Sequence, residues 1–217
     1  MSDSIIRQYQ PSDREAIRRI CCDTANKGEP VDRFFPDREV FGDLLTRYYT
    51  DDVPQETWVA DCGGRVAGYL TGCFDTHLYA REMIRKIIPA AMLRGIRRGL
   101  FLHRQTWRIL AAGAKALAAG ESERKIPLEE YPAHLHMNLS KEFRGKDLGR
   151  LLMEKFVEQA QQRGVTGIHL MTRKDNLPAR RFFERMEFRE LGERAGIRLD
   201  GDALKGVTVV YGRKLSA

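Results

Sequence analysis

Residues 144–150 read Arg144-Gly145-Lys146-Asp147-Leu148-Gly149-Arg150, and the reading of this run decides how the rest of the chain is understood. His134 to Leu139, just before it, is predicted to be a strand. Beyond it, Leu148, Leu151, Leu152, Phe156 and Ala160 recur at helical spacing, so a helix is predicted over Asp147 to Arg163, with Gly164 just past its end. The run is therefore the turn from a strand into a helix N-terminus. The first helical turn has N–H groups with no intrahelical acceptor and the positive end of the helix dipole, so it attracts anions. Glycine lets a bulky phosphate approach the backbone closely. Arg144, Lys146 and Arg150 add mobile positive charge. By physics alone the run is a phosphate or pyrophosphate site, or else an ordinary basic turn before a helix.

Downstream, Ile168 to Thr172 is an apolar strand, Leu177 to Met186 a helix and Val207 to Tyr211 a last strand. Upstream, Ile5 to Tyr9 is a short strand, and Pro11-Ser12-Asp13 opens a helix carrying Ala16, Ile17 and Ile20. A second helix is predicted over Glu39 to Tyr49, with Phe41, Leu44 and Leu45 on one face. Thr57 to Cys62 and Val66 to Phe74 are strand-like, with Gly63-Gly64 as a hairpin signal between them. This order predicts an α/β (α+β) fold, a sheet covered by helices with some parallel pairing in its middle.

Between the strands ending at Phe74 and starting at His134 lies an unusual stretch. From Met83 to Gly120 there is no acidic residue, while Arg85, Lys86, Arg94, Arg97, Arg98, Arg104, Arg108 and Lys115 all fall there. Apolar residues recur at Met83, Ile84, Ile87, Ile88 and Ala91, and again at Leu100, Trp107, Leu110 and Leu117. Pro89, Gly95 and Gly99 are expected to break or kink the stretch into two or three short helices. Residues 77–128 are read as a basic helical insertion within a single domain, residues 1–217.

Composition sets outer bounds. A chain of 217 residues supports one sizeable core. A net charge of +7 favours acidic partners or a phosphate-rich ligand and does not bear on fold. Cys21, Cys22, Cys62 and Cys73 lack zinc-knuckle spacing, and vicinal Cys21 and Cys22 suit a disulfide poorly, so idle thiols in a reducing compartment and no metal are expected. The N-terminal residues lack the apolar core of a signal peptide, and no apolar run reaches spanning length; a cytoplasmic protein is expected. Nucleic acid is disfavoured, because the basic residues cluster on one helical insertion with no groove-reading motif.

The segment R-G-K-D-L-G resembles the coenzyme A loop of the Gcn5-related N-acetyltransferase (GNAT) family: Arg or Gln, two residues, Gly, one residue, then Gly or Ala. A second family element follows in order, from Asn176-Leu177-Pro178-Ala179 through Phe182-Phe183 to Glu187-Phe188. It resembles the pattern Asn, two residues, Ala, three residues, Tyr, three residues, Gly, Phe. Tyr131-Pro132-Ala133-His134-Leu135-His136 is also similar to the acetyltransferase-like domains akin to the C-terminal part of O-GlcNAcases. The resemblance implies a mixed, mostly antiparallel sheet, splayed where the cofactor enters. It implies acetyl-coenzyme A (acetyl-CoA) as co-substrate. Met137, Asn138 and Leu139 would pair with the pantetheine arm like an added strand. Arg144, Gly145, Lys146, Asp147, Leu148, Gly149 and Arg150 would hold the pyrophosphate, and Asn176 would touch the pantetheine or orient the site. Asp147 and Glu187 stand where the family has Gly, and Phe183 where many members have Tyr as an acid. Asp147 is expected to point away from the pyrophosphate or to cap the helix.

Transfer to an amine needs a base. His134 and His136 share one face of their strand with Asn138. In this family that strand borders the thioester, and some members use paired histidines there. His136 is taken as the base with His134 behind it; the competing reading makes both hydrogen-bonded structural histidines. Tyr48 and Tyr49 either line the acceptor site or pack. The acceptor is expected to be a small-molecule or protein amine. The insertion would be a basic wall of the acceptor site selecting an acidic or phosphorylated acceptor, a surface lying on an anionic membrane, or a helical hairpin with solvated arginines. A homodimer is compatible with the sequence. The alternative function is a catalytically silent acyl-CoA-binding or sensing module.

Overall fold

The structure is a computed structural model, and it describes residues 4–25, 28–118, 126–197 and 205–215. Seven strands form one sheet: β1 (Ser4–Gln8), β2 (Thr57–Cys62), β3 (Arg65–Cys73), β4 (Ala133–Leu139), β5 (Gly167–Arg173), β6 (Arg189–Ile197) and β7 (Lys205–Lys214). Their spatial order is β1-β2-β3-β4-β5-β7-β6. Every neighbouring pair is antiparallel except β4 and β5. That parallel pair is short. Only Ala133 with Ile168 and His134 with His169 are in register, and beyond them the two strands part.

Alternation along β4 distributes its side chains to two layers. Leu135, Met137 and Leu139 join the core under α6 (Leu148–Gln162) and α7 (Leu177–Arg185), built on Leu152, Met153, Phe156, Leu170 and Phe188. His134, His136 and Asn138 face the opposite layer, where α1 (Arg14–Asp23) and α2 (Arg38–Arg47) enclose Ile17, Ile20, Cys21, Phe41 and Tyr69. The Trp58 indole N–H donates to Gln159 Oε1 at 3.0 Å, and Gln159 Nε2 donates to the Gln55 carbonyl at 2.8 Å, fastening α6 to β2. Gly72 on β3 faces Phe156, and a Cβ there would collide with the ring.

Helix α2 runs into one π-helical turn, Tyr48–Asp52, which turns Tyr48 and Tyr49 inward. Among the described residues the insertion forms three helices, within the two or three expected, but its breaks fall elsewhere. Pro89 does not break it: α3 (Thr76–Glu82) passes through a π-helical turn (Met83–Ile87) into α4 (Ile88–Arg97). Pro89 follows that π-helical turn directly, and the turn's altered hydrogen bonding accommodates the missing N–H. Gly95 stays helical and buried against Leu100. Gly99, at φ +68°, ends the helix, and α5 (Arg104–Ala118) follows. Residues 119–125 of the expected insertion lie outside the described residues. Strand β6, rich in charge and broken by a bulge at Glu190/Gly192, had no sequence signal.

Candidate active site

The parting of β4 and β5 opens a cleft of about 540 Å³, lined by both strands, the 144–149 turn, α7 and the end of α1. Register explains why this gap is chemically unusual. Ser140 N–H bonds the Ala67 carbonyl on β3, so alternate residues of β4 pair with β3 and the others face away. The backbone groups of Leu135, Met137 and Leu139 therefore point toward β5; the Leu135 N–H completes the last parallel pair at His169, and beyond it β5 diverges. Of these, the Leu139 carbonyl accepts from Arg144 Nε at 3.2 Å. Met137 and the Leu135 carbonyl, beyond the last parallel pair, offer strand-edge donors and acceptors to a ligand that carries amides.

At one end of the cleft lies the N-terminus of α6. Its first backbone bond runs from Leu151 N–H to the Asp147 carbonyl at 3.2 Å, so the N–H groups of Leu148, Gly149 and Arg150 have no intrahelical acceptor. Gly145, at φ +75°, has open space around it. The Arg144 guanidinium lies over Gly28, close enough that a Cβ at Gly28 would meet its nitrogen at 2.6 Å.

A second cleft of about 850 Å³ lies against the first and is lined by Thr76, His77 and Tyr79 of α3, by residues 126–129, and by Arg194. The two clefts share Leu45, Leu135, His136, Leu170 and Met171. His136 thus stands at their junction.

Two further imidazoles lie nearby, with ring centroids 6.0 Å (His134 to His136) and 5.7 Å (His134 to His169) apart. Their roles separate by hydrogen bonding. The Thr76 hydroxyl spends its proton on the Pro132 carbonyl at 2.7 Å, so its oxygen accepts from His134 Nδ1–H at 2.8 Å. The bare His134 Nε2 then accepts from the Tyr49 hydroxyl at 2.8 Å. Burial, with His136 and His169 near, holds the His134 pKa well below the usual histidine value. His169 is buried on the Tyr131 carbonyl at 2.8 Å. No hydrogen bond among the described residues engages the His136 ring. The surrounding protein and then His169 lower its pKa.

Residues 123–188 match the family model for the acetyltransferase (GNAT) family. Those residues resemble the GNAT family, and the chain has the GNAT fold. It is similar to the crystal structure of SsHAT, at 28% identity and TM-score 0.74, covering 99% of this chain and 100% of that one. It shares the fold of the Drosophila melanogaster polyamine N-acetyltransferase that forms N-acetylagmatine (16% identity, TM-score 0.61, 98% and 100% covered). It also shares the fold of yncA of Salmonella typhimurium, solved with its cofactor acetyl-CoA (13% identity, TM-score 0.59, 98% and 94% covered). These matches concern the family at large and not the narrower likeness to O-GlcNAcase-like domains.

In this GNAT fold, Met137, Asn138, Leu139, Arg144, Gly145, Gly149 and Asn176 all line the first cleft together with His136. Lys146, Asp147, Leu148 and Arg150 do not. Leu148 is in the core, Lys146 lies 5.1 Å over the Phe143 ring, and Arg150 is held by Asp147 and Glu154, each at 2.5 Å. Asp147 points away from the cleft into that ion pair and caps nothing with its side chain, so the expected capping role is corrected. Asn138 differs in detail: its backbone belongs to the β3 side, and its amide donates to the Tyr69 hydroxyl at 2.8 Å. His134 is not positioned as a relay to His136, since both its nitrogens are occupied elsewhere.

Asp147 (φ +64°) and Glu187 (φ +65°) are the described non-glycine residues with positive φ, and both stand where the family has Gly. Phe183 is buried at the cleft wall in the usual Tyr place. Tyr211 supplies no substitute: it is buried outside the cleft, accepting from Arg180 Nε and donating to Glu184, both at 3.0 Å. Tyr48 and Tyr49 are packed and line neither cleft. The thiols of Cys21, Cys22 and Cys73 are pushed up by burial, to about 12, 11 and 11, which makes them poor nucleophiles. Among the described residues no His, Cys, Asp and Glu side chains gather as a metal site would. Sequence reasoning missed Leu135, whose apolar side chain concealed a backbone carbonyl facing the cleft, and Gly28, whose role depends on a contact with Arg144 116 positions away.

Proposed function

We propose that this protein transfers an acetyl group from acetyl-CoA to a primary amine by direct attack, with His136 as general base. The observation that carries the reading is the junction: His136 is the imidazole shared by a cleft with free strand edges and a cleft walled by α3. Bound in the first cleft, acetyl-CoA supplies a thioester carbonyl and a thiolate leaving group. Leu135 and Met137 would hold its amide groups, the α6 N-terminus and Arg144 its pyrophosphate. The insertion's arginines do not line the second cleft. Arg94, Arg97 and Arg98 line a separate groove with Arg14, Asp43, Arg47 and Asp51. The acceptor wall is Thr76, His77 and Tyr79 instead.

The amine nitrogen forms its bond to the carbonyl carbon as His136 takes its proton, and the C–S bond then breaks. His136 is suited to this because its lowered pKa keeps it neutral at neutral pH. Phe183 has no proton to give, so the thiolate leaves as such and is protonated by water. A thiol with pKa of about 8.5 permits this.

Release of the coenzyme A thiol in the presence of a panel of alkyl and arylalkyl amines tests the reading. A general base is worth roughly 10²–10⁴-fold, so His136→Ala should lose that much turnover while keeping its melting temperature. The acid limb of the parent's rate profile should fall below pH 6.5, the unperturbed histidine value. Unchanged turnover in His136→Ala would sink the base assignment. Phe183 favours a second reading, a silent acyl-CoA-binding module. Tight acetyl-CoA binding with no amine ever acetylated would select it.

A further inference from the structure

The insertion carries an outer surface that the acetyl-transfer reading leaves unused. Helix α4 and the π-helical turn before it pack on α2 and its end through Ile87, Ala91 and Gly95, all buried. A surface helix with such a seam ordinarily turns charge outward. Here Met92 (53% exposed), Leu93 (50%) and Ile96 (61%) lie away from the seam, and Ile84 (69%) and Ile88 extend the apolar line toward α3 at four-residue spacing. The same composition continues past Gly99, where Leu102 and Trp107 are exposed.

Cations border this apolar surface. Arg94 pairs with Asp43, and Arg98 with Asp37 at 2.5 Å. Arg85, Arg97, Arg104 and Arg108 are exposed and have no acidic partner among the described residues. No acidic residue occurs from 83 to 120 to supply one locally. A two-fold dimer through this face would set arginine against arginine, because an isologous interface meets its own surface. What covers the face must accept apolar side chains and carry negative charge.

We propose that the outer face of α4 and the π-helical turn before it docks on an anionic lipid bilayer, with Ile88, Met92, Leu93 and Ile96 entering the headgroup boundary and Arg85 and Arg97 meeting lipid phosphates. No helix among the described residues is long and apolar enough to cross a membrane, so the protein lies on the surface. The second cleft, walled by α3, is thereby brought close to the lipid.

Co-sedimentation of the full chain with vesicles tests this. One set is phosphatidylcholine alone, the other phosphatidylcholine mixed with phosphatidylserine. The protein should pellet only with the mixed vesicles, and added salt should release it. Leu93→Asp/Ile96→Asp, at exposed positions, should abolish pelleting without lowering the melting temperature. Arg85→Gln/Arg97→Gln, which leaves the apolar residues in place, should weaken binding by roughly 30-fold, from the attraction of two cations to an anionic surface. Protein left in the supernatant with both vesicle types overturns the proposal, as does equal pelleting with neutral vesicles. So does a concentration-dependent dimer abolished by Leu93→Asp/Ile96→Asp, which would show a second copy on this face.

Discussion

Asp147 and Glu187 show how a residue can depart from a family pattern while the backbone keeps to it. Both positions need a left-handed turn that glycine adopts freely and other residues adopt at a cost of about 1–2 kcal/mol. Asp147→Gly should therefore stabilise the protein by roughly 0.5–1 kcal/mol, since the exposed pair with Arg150 offsets little of the strain. Asp147→Ala, which keeps the strain, should not; urea unfolding measures both. The histidines make a prediction about acid. His134, His136 and His169 all have folded-state pKa values below the unfolded value of 6.5. The unfolded chain therefore binds more protons once the pH drops past about 6.5, and stability falls from there down toward the folded pKa values. The melting temperature should be flat above neutrality and drop on acidification, and His134→Gln should flatten part of that drop. A flat profile through pH 5 would contradict the buried, neutral assignment of His134.

Elements with strong periodicity were legible, and those shaped by contact were not. The α6 pattern predicted the helix and its buried Leu148, Leu152, Phe156 and Ala160; Leu151 is only half-buried. Parallel pairing in the middle was foreseen, and β4 with β5 supplies it. Pro89 misled because a proline mid-pattern normally ends a helix, whereas a π-helical turn before it absorbs the mismatch. Strand β6 was invisible because an edge strand need not alternate. At the site, the turn, Asn176 and the His136 strand were legible from motif spacing. The direction of Asp147, the occupied nitrogens of His134 and the contact of Gly28 with Arg144 depend on residues far apart in sequence. That last contact is testable. Gly28→Ala adds a Cβ 2.6 Å from the guanidinium at φ +94°, so Arg144 must move. Calorimetry should show acetyl-CoA affinity lowered by about 10-fold, the worth of one charge-assisted hydrogen bond, with the affinity of desphospho-pantetheine thioesters unchanged. Equal loss for both ligands would place Arg144 elsewhere in the account.

At the scale of the whole molecule, a sheet that splits between β4 and β5 does three things at once. It frees a strand edge, aims a helix N-terminus along it, and leaves His136 where two clefts meet. Acetyl-CoA occupying that split would stabilise the native state, so thermal unfolding is compared with and without it. At about a hundred times the dissociation constant, ligand binding to the native state adds roughly 2.7 kcal/mol, a melting shift of roughly 5–10 °C for a chain of this size. The comparison is Gly145→Asp: the site has open space, Asp tolerates positive φ better than most residues, and the new carboxylate faces the phosphates. The parent should shift and Gly145→Asp should shift little or not at all, each measured against its own ligand-free baseline. No shift in the folded parent, or an equal shift in both proteins, would contradict binding in that split.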